Sequence, residues 1–333
     1  MQGANPVLIE VTRGGMVESR HRGAAVAMDS QGRIVAAWGD VDALIYPRSS
    51  IKPIQALPLI ESGAADKYKV GPEEIALACA SHGGEPAHTE RVAAWLARHD
   101  LAERDLECGA HMPSETESSA DLIRAGRPAS ALHNNCSGKH AGMLLTARHL
   151  GEPMRGYIGA DHPVQRRLRG LLADLGDCAL DGVSTGIDGC GIPVYAMPLK
   201  ALALAMARMA DPAALPDARS DAARRIVRAM TAHPYLVAGK GRFDTEIMAA
   251  GRGAVAVKGG AEGVHAAILP ELRLGVALKI DDGGAGRSSP VAMAALLRRL
   301  KAMPEDRLAD WLERPVTNAA GRTAGAIRPA RDF

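Results

Sequence analysis

Two apolar runs, residues 24–28 and 34–38, flank the turn-forming stretch Asp29-Ser30-Gln31-Gly32, so the N-terminal part reads as antiparallel strands. The pattern then changes to helical spacing over residues 50–62, 72–80, 88–98, 139–150 and 164–175. A longer helical stretch, 198–230, is interrupted at Asp211-Pro212, where proline ends or kinks a helix. Short, apolar, turn-bounded runs return at 254–258, 264–269 and 274–280, the last two joined through Pro270-Glu271-Leu272 as in a hairpin. Helical patterns at 290–302 and 305–312 close the chain. Strands toward both ends with helices between them predict an α+β fold. One antiparallel sheet is built from both chain ends, with helices packed on it and a helical lobe inserted. No linker or repeat divides the 333 residues, which are expected to form a single domain of two intertwined lobes.

Composition narrows the function. Aromatics are only 3%, so Ala, Leu, Val and Ile must build the core, and base-stacking platforms for nucleic acid are excluded. A formal charge of +2 with dispersed basic residues adds no nucleic-acid or membrane-surface partner. The stretch Met1 to Pro6 has no basic region followed by an apolar run, and no segment approaches the ~20 apolar residues of a membrane span. The five cysteines, Cys79, Cys108, Cys136, Cys178 and Cys190, are scattered, which fits a reducing cytoplasm better than a disulfide framework.

Five clusters could carry chemistry. In Ser49-Ser50-Ile51-Lys52, the serine and lysine are three apart at the head of a helical segment and would share a face. The helix start favours a developing alkoxide, and a lysine with a depressed pKa could take its proton. The plain alternative is an N-cap serine beside a solvated lysine. Lys258-Gly259-Gly260 follows a strand pattern, either a K-x-G motif facing a nucleophile or a strand end with a glycine turn. Ser81-His82-Gly83-Gly84 reads equally as a polar loop on a cleft or as a helix C-cap with Gly83 left-handed. His133-Asn134-Asn135-Cys136-Ser137-Gly138-Lys139-His140 packs amides, a thiol and N–H groups into one loop before an apolar helix from Ala141. Asp188-Gly189-Cys190-Gly191 brings a second cysteine, though no C-x-x-C or H-x-x-x-H spacing marks a metal site.

Taken together and in this order, these segments resemble the rhizobial-type (class 3, asparaginase II) L-asparaginases over nearly the whole chain. The most specific stretch is His133 to Met143; Pro47 to Leu59, Asp188 to Pro193, Lys258 to Val264 and Lys279 to Gly283 add to it. The resemblance implies a fold like that of serine β-lactamases and glutaminases, and hydrolysis of L-asparagine to L-aspartate and ammonia. It implies two Ser/Lys pairs, Ser49 with Lys52 and Ser81 with Lys258. Arg48 and His140 would line the substrate pocket. Zinc would sit on Cys136, Lys139 and Cys190, with Asp188 in the surrounding shell, and the chain would be a homodimer. The segment Arg242 to Ala250, where some members carry a cysteine, has none here. Two other readings compete. A β-lactamase or penicillin-binding-type hydrolase lacks its S-D-N tripeptide in this chain. A non-catalytic amino-acid-binding protein would not need the full Ser/Lys set.

Overall fold

In the computed structural model, residues 4–284 and 286–333 are described. Part of the Met1 to Pro6 reading therefore lies outside the described residues. The strands are β1 (Val7–Arg13), β2 (Met16–Asp29), β3 (Ile34–Trp38), β4 (Leu44–Ile45), β5 (Thr185–Ile187), β6 (Pro193–Tyr195), β7 (Met197–Pro198), β8 (Ala256–Gly259), β9 (Val264–Leu269), β10 (Leu274–Ile280), β11 (Arg314–Thr317) and β12 (Thr323–Pro329). Eight of them form one sheet in the order β11-β12-β1-β2-β10-β9-β8, with β3 also on β2. All pairings are antiparallel. The long β2 makes this possible: residues 16–22 pair with β1 and residues 23–29 pair with β10, so one strand joins both chain ends. The architecture is the expected α+β arrangement.

The helix Leu199–Ala210 packs across β2, β9 and β10. A glycine is required where they meet, since a Cβ on Gly275 would stand 2.1 Å from the Ala203 carbonyl and the Ala207 amide. The helix Ser289–Arg299 also packs on the sheet, against β1, β9, β10 and β12, while the helices Pro72–Ala78, Pro86–Ala97 and Ser137–His149 pack on one another in a separate lobe. Residues from Ser137 to Ala147 are buried on every face of their helix, and a Cβ on Gly138 would lie 2.4 Å from the Leu77 carbonyl. A helix enclosed all round turns any polar side chain it carries into the protein. Lys139 and His140 are therefore interior groups. No described helix is long and apolar enough to cross a membrane.

Several boundaries differ from the expectation. The helical pattern over 50–62 is broken into a 3-10 turn, Arg48–Ile51, and two short helices, Lys52–Gln55 and Leu57–Glu61, because Pro53 and Pro58 each restart the backbone. The 133–140 loop is helical from Ser137, four residues earlier than the apolar pattern indicated. The left-handed glycine after Ser81 is Gly84, φ +79°, and not Gly83. Two helices, Thr116–Arg124 and Phe243–Gly251, and the C-terminal strands β11 and β12 were not expected.

Candidate active site

Ser49 lies in the 3-10 turn that precedes Lys52–Gln55. Arg48, just before it, is left-handed at φ +51°, a conformation that costs a non-glycine residue about 1 kcal/mol. Its guanidinium donates through Nε to Asp188 Oδ1 at 2.9 Å, with a second nitrogen 2.8 Å from the same oxygen, so the turn is tied to the loop between β5 and β6. From the other side Gly260 presses on the turn, and a Cβ there would meet the Pro47 carbonyl at 3.1 Å and the Ser50 amide at 3.2 Å. The third residue of Lys258-Gly259-Gly260 thus lets the sheet edge touch the serine turn.

Lys52 is buried and does not turn toward Ser49. Its Nζ donates to the Ala80 carbonyl, to Ser81 Oγ at 2.9 Å and to the Asn135 carbonyl at 3.4 Å. Three acceptors use all three N–H groups of an ammonium. Ser49 makes no side-chain hydrogen bond among the described residues. The pairing of Ser49 with Lys52 is thus not formed in this geometry, and Lys52 holds Ser81 instead.

Lys258 sits on β8, at the sheet edge, and donates to its neighbour's carbonyl, Gly259, at 2.7 Å. Burial outweighs the attraction of Asp244 and, with Lys52 and Arg242 nearby, pulls its amine down to about 7. Asp244 lies 4.0 Å from Lys258 Nζ, accepts the Gly259 N–H at 2.8 Å, and meets His265 Nε2 at 2.8 Å. Burial disfavours the Asp244 charge, but His265 and Lys258 overcome it and keep the carboxyl well below the usual carboxylate range. A cleft of about 490 Å³ is lined by Ser49, Ser81, Asn135, Arg242, Asp244 and Lys258, among others. Three of the four expected Ser/Lys residues therefore share one cavity wall, and the fourth, Lys52, reaches it through Ser81.

Arg48 and Asp188 are joined to each other and, like His140, are not among the residues that line this cleft. His140 is enclosed. Tyr157 accepts the Glu107 N–H at 2.8 Å, which leaves its hydroxyl hydrogen for His140 Nδ1 at 2.9 Å. Burial pushes His140 well below the usual histidine range, and its Nε2 has no partner among the described residues.

Cys136, Lys139 and Cys190 do meet. Cys136 Sγ lies 3.1 Å from Asn135 Oδ1, and the interaction of the two sulfurs holds Cys136 below the usual thiol range and raises Cys190. Lys139 Nζ lies 3.1 Å from Cys190 Sγ. Burial opposes its charge, but the thiols prevail and raise its pKa. Two sulfurs and an amine are a donor set suited to a soft divalent ion, provided Lys139 gives up its proton. Among the described residues no group of three or more His, Cys, Asp or Glu forms a metal cage.

Asp244 and His265 were not singled out from the sequence. The available signal was a histidine inside the otherwise apolar run 264–269.

A sequence model of the family described as L-asparaginase II matches residues 9–329. No curated protein matches the chain. Among solved structures, Mglu is similar with a TM-score of 0.47 and 18% identity over 84% of this chain and 67% of that one. Mglu in its glutamate form gives 0.47 and 17% over 84% of this chain, which spans 61% of that relative's length. A beta-lactamase from Mycobacterium bovis gives 0.34 and 14% over 84% of this chain and 94% of that one.

Proposed function

The chain belongs to the L-asparaginase II family, and from that premise we propose that it hydrolyses the side-chain amide of L-asparagine to L-aspartate and ammonia. The observation that carries the reading is one cleft onto which Ser49 and Ser81 open together with a buried lysine brought down to about 7. Ser49 Oγ attacks the amide carbon and its proton passes to neutral Lys258 Nζ. The Ser49 N–H, at the turn, is the proposed donor for the developing oxyanion. Collapse expels ammonia with the proton held on Lys258. Water, deprotonated by the same amine, then cleaves the aspartyl ester and frees Ser49. Lys52, with its three donated hydrogen bonds, orients Ser81 as the second hydroxyl of the cleft.

Arg48 keeps N–H groups beyond those given to Asp188 and is the group proposed to hold a substrate carboxylate, with Asp188 fixing it and His140 behind the pocket. Zinc, when bound, would rest on Cys136, Cys190 and Lys139 and supply a charge that orients the 133–140 segment. A homodimer is the proposed assembly and cytoplasm the proposed compartment; light scattering and fractionation check these. A second reading has its own observation: Lys52 stands 2.9 Å from Ser81 Oγ, which makes Ser81 the rival nucleophile.

Ammonia release from purified protein, measured with asparagine, glutamine and a chromogenic β-lactam side by side, tests the function. Release from asparagine is expected. Hydrolysis of the β-lactam with no ammonia from either amide would overturn the reading.

A further inference from the structure

Behind Lys258 stands a carboxylate–imidazole pair to which the reaction above gives no role. Asp244 opens the helix Phe243–Gly251, His265 is the second residue of β9, and Lys258 lies on β8. They are 7%, 3% and 2% exposed, so a carboxylate here would be costly unless every lone pair were used. One oxygen meets His265 Nε2 at 2.8 Å; the other accepts the Gly259 N–H at 2.8 Å and faces Lys258 Nζ at 4.0 Å. His265 Nδ1 has no partner among the described residues, so its visible polar contact is with Asp244.

We infer that Asp244 and His265 are a positioning pair for Lys258, holding both its amine and the strand end that carries Gly260 against the Ser49 turn. The inference rests on the amidohydrolase reading for its consequence, since it is as a base that Lys258 needs a set proton affinity. The pair works in two ways. The Gly259 N–H bond to Asp244 anchors the residue whose carbonyl receives the Lys258 amine at 2.7 Å. The carboxylate also favours the protonated lysine, against burial, while His265 draws part of that charge away. The other groups acting on the Lys258 amine come from separate elements. They are Lys52 at the serine helix, Arg242 before Phe243–Gly251, Cys136 at the cap of Ser137–His149, and Cys79 at the end of Pro72–Ala78. None of them changes in the variants below.

The test measures Lys258 directly and activity separately. Full-length protein is acetylated with acetic anhydride over about pH 5 to 10, and the rate at Lys258 is followed by peptide mass spectrometry. Removing the charge with Asp244→Asn should move the labelling midpoint, and the acidic limb of the asparagine pH–rate profile, down by about one pH unit. His265→Ala should move both upward by about half a unit, because the carboxylate then bears more of its charge toward the amine. His265→Gln, which keeps a donor, should stay near wild type. Opposite shifts are something a merely structural role would not produce. If Asp244→Asn and His265→Ala both label like wild type, the inference is wrong. Should Asp244→Asn fail to fold, His265→Ala decides alone, and an unmoved midpoint overturns the pair. Shifted labelling with no ammonia release by wild type would keep the pair and remove the amidohydrolase reading.

Discussion

Ser49 and Ser81 open on one cleft, yet their surroundings differ in kind. Ser81 is held: Lys52 Nζ bonds its hydroxyl at 2.9 Å while also bonding the Ala80 and Asn135 carbonyls. Those carbonyls lie just past the helix Pro72–Ala78 and just before Ser137–His149, and the lysine gives them a partner inside the protein. Ser49 has no side-chain hydrogen bond among the described residues and is set on a turn braced by the Arg48–Asp188 ion pair and by Gly260. Its neighbour across the sheet edge is Lys258, whose amine is already near neutrality at about 7. The Lys52 amine is taken up by three acceptors, whereas the Lys258 amine donates to the Gly259 carbonyl and is brought down to about 7. The proposed division of labour between the two serines rests on that contrast more than on the S-x-x-K spacing.

The sharpest way to break the contrast is to remove each hydroxyl. Ser49→Ala should lower kcat by about a thousandfold or more, as loss of a nucleophile does. Ser81→Ala should lose about ten- to a hundredfold and keep measurable turnover. Single-turnover ammonia release on folded variants measures both. The reverse order would give the attack to Ser81 with Lys52.

Next in size is the base. Lys258 must be neutral to act, so kcat/KM should fall about tenfold per pH unit below about 7 and level off above it. Lys258→Arg should lose about a hundredfold or more and lose that limb, because guanidinium stays protonated. The same shift has a stability sign. The folded amine binds its proton less tightly than the unfolded one, ordinarily at 10.5, so folding releases a proton between about 7 and 10.5. Wild-type stability should therefore gain with rising pH in that window relative to Lys258→Met, and denaturant melts at several pH values check it. A pH-independent rate from acid to alkaline conditions would remove Lys258 as base.

How much of this could be read from the chain depends on whether a feature is local. The S-x-x-K segment marked a helix start, and a helix start is there. The bond from Lys52 to Ser81 was not legible, because Ser81 is 29 residues away and i to i+3 spacing describes only neighbours on a helix surface. The clustering of Cys136, Lys139 and Cys190 was anticipated from resemblance, since Cys190 lies 51 residues beyond Lys139 and no spacing rule joins them. The sheet was legible where strands are apolar, as in 264–269 and 274–280. It was not legible at β11, Arg314-Pro315-Val316-Thr317, where proline and exposed positions hide an edge strand. Asp244 stayed invisible because an acidic residue says nothing in sequence about the histidine it meets on β9, 21 residues away.

A smaller effect comes from the sulfur cluster, which belongs to the Ser81 side of the comparison through Asn135 and Cys136. If zinc rests there and orients substrate, chelation should raise KM by about tenfold while changing kcat less. The Cys136→Ser, Cys190→Ser double variant should purify without zinc and still turn over at high substrate. Elemental analysis of freshly purified wild type is the direct measurement. Absence of zinc, with added zinc changing neither KM nor Tm, would return the cysteines to buried thiols, Cys190 bonded to Lys139 and Cys136 to Asn135.

The mildest change separates the two serines most cleanly. Gly260 has no side chain facing the Ser49 turn, and a methyl placed there would meet the Pro47 carbonyl at 3.1 Å, the Ser50 amide at 3.2 Å and the Ser49 amide at 3.4 Å. All three are backbone atoms, so relief requires the turn or the strand end to move by a few tenths of an ångström. Lys52 and Ser81 are bonded to other elements and should not follow. Gly260→Ala should therefore lower kcat by about three- to tenfold through a displaced Ser49, since small misplacements of a reacting group are felt in the rate. The protein should remain folded. If Ser81 were the nucleophile, the same methyl would leave kcat close to wild type and alter only KM. Comparing kcat in Gly260→Ala with kcat in Gly260→Ala/Ser81→Ala then tells which hydroxyl the strand end serves: equal proportional losses from Gly260→Ala in both backgrounds place its effect on Ser49.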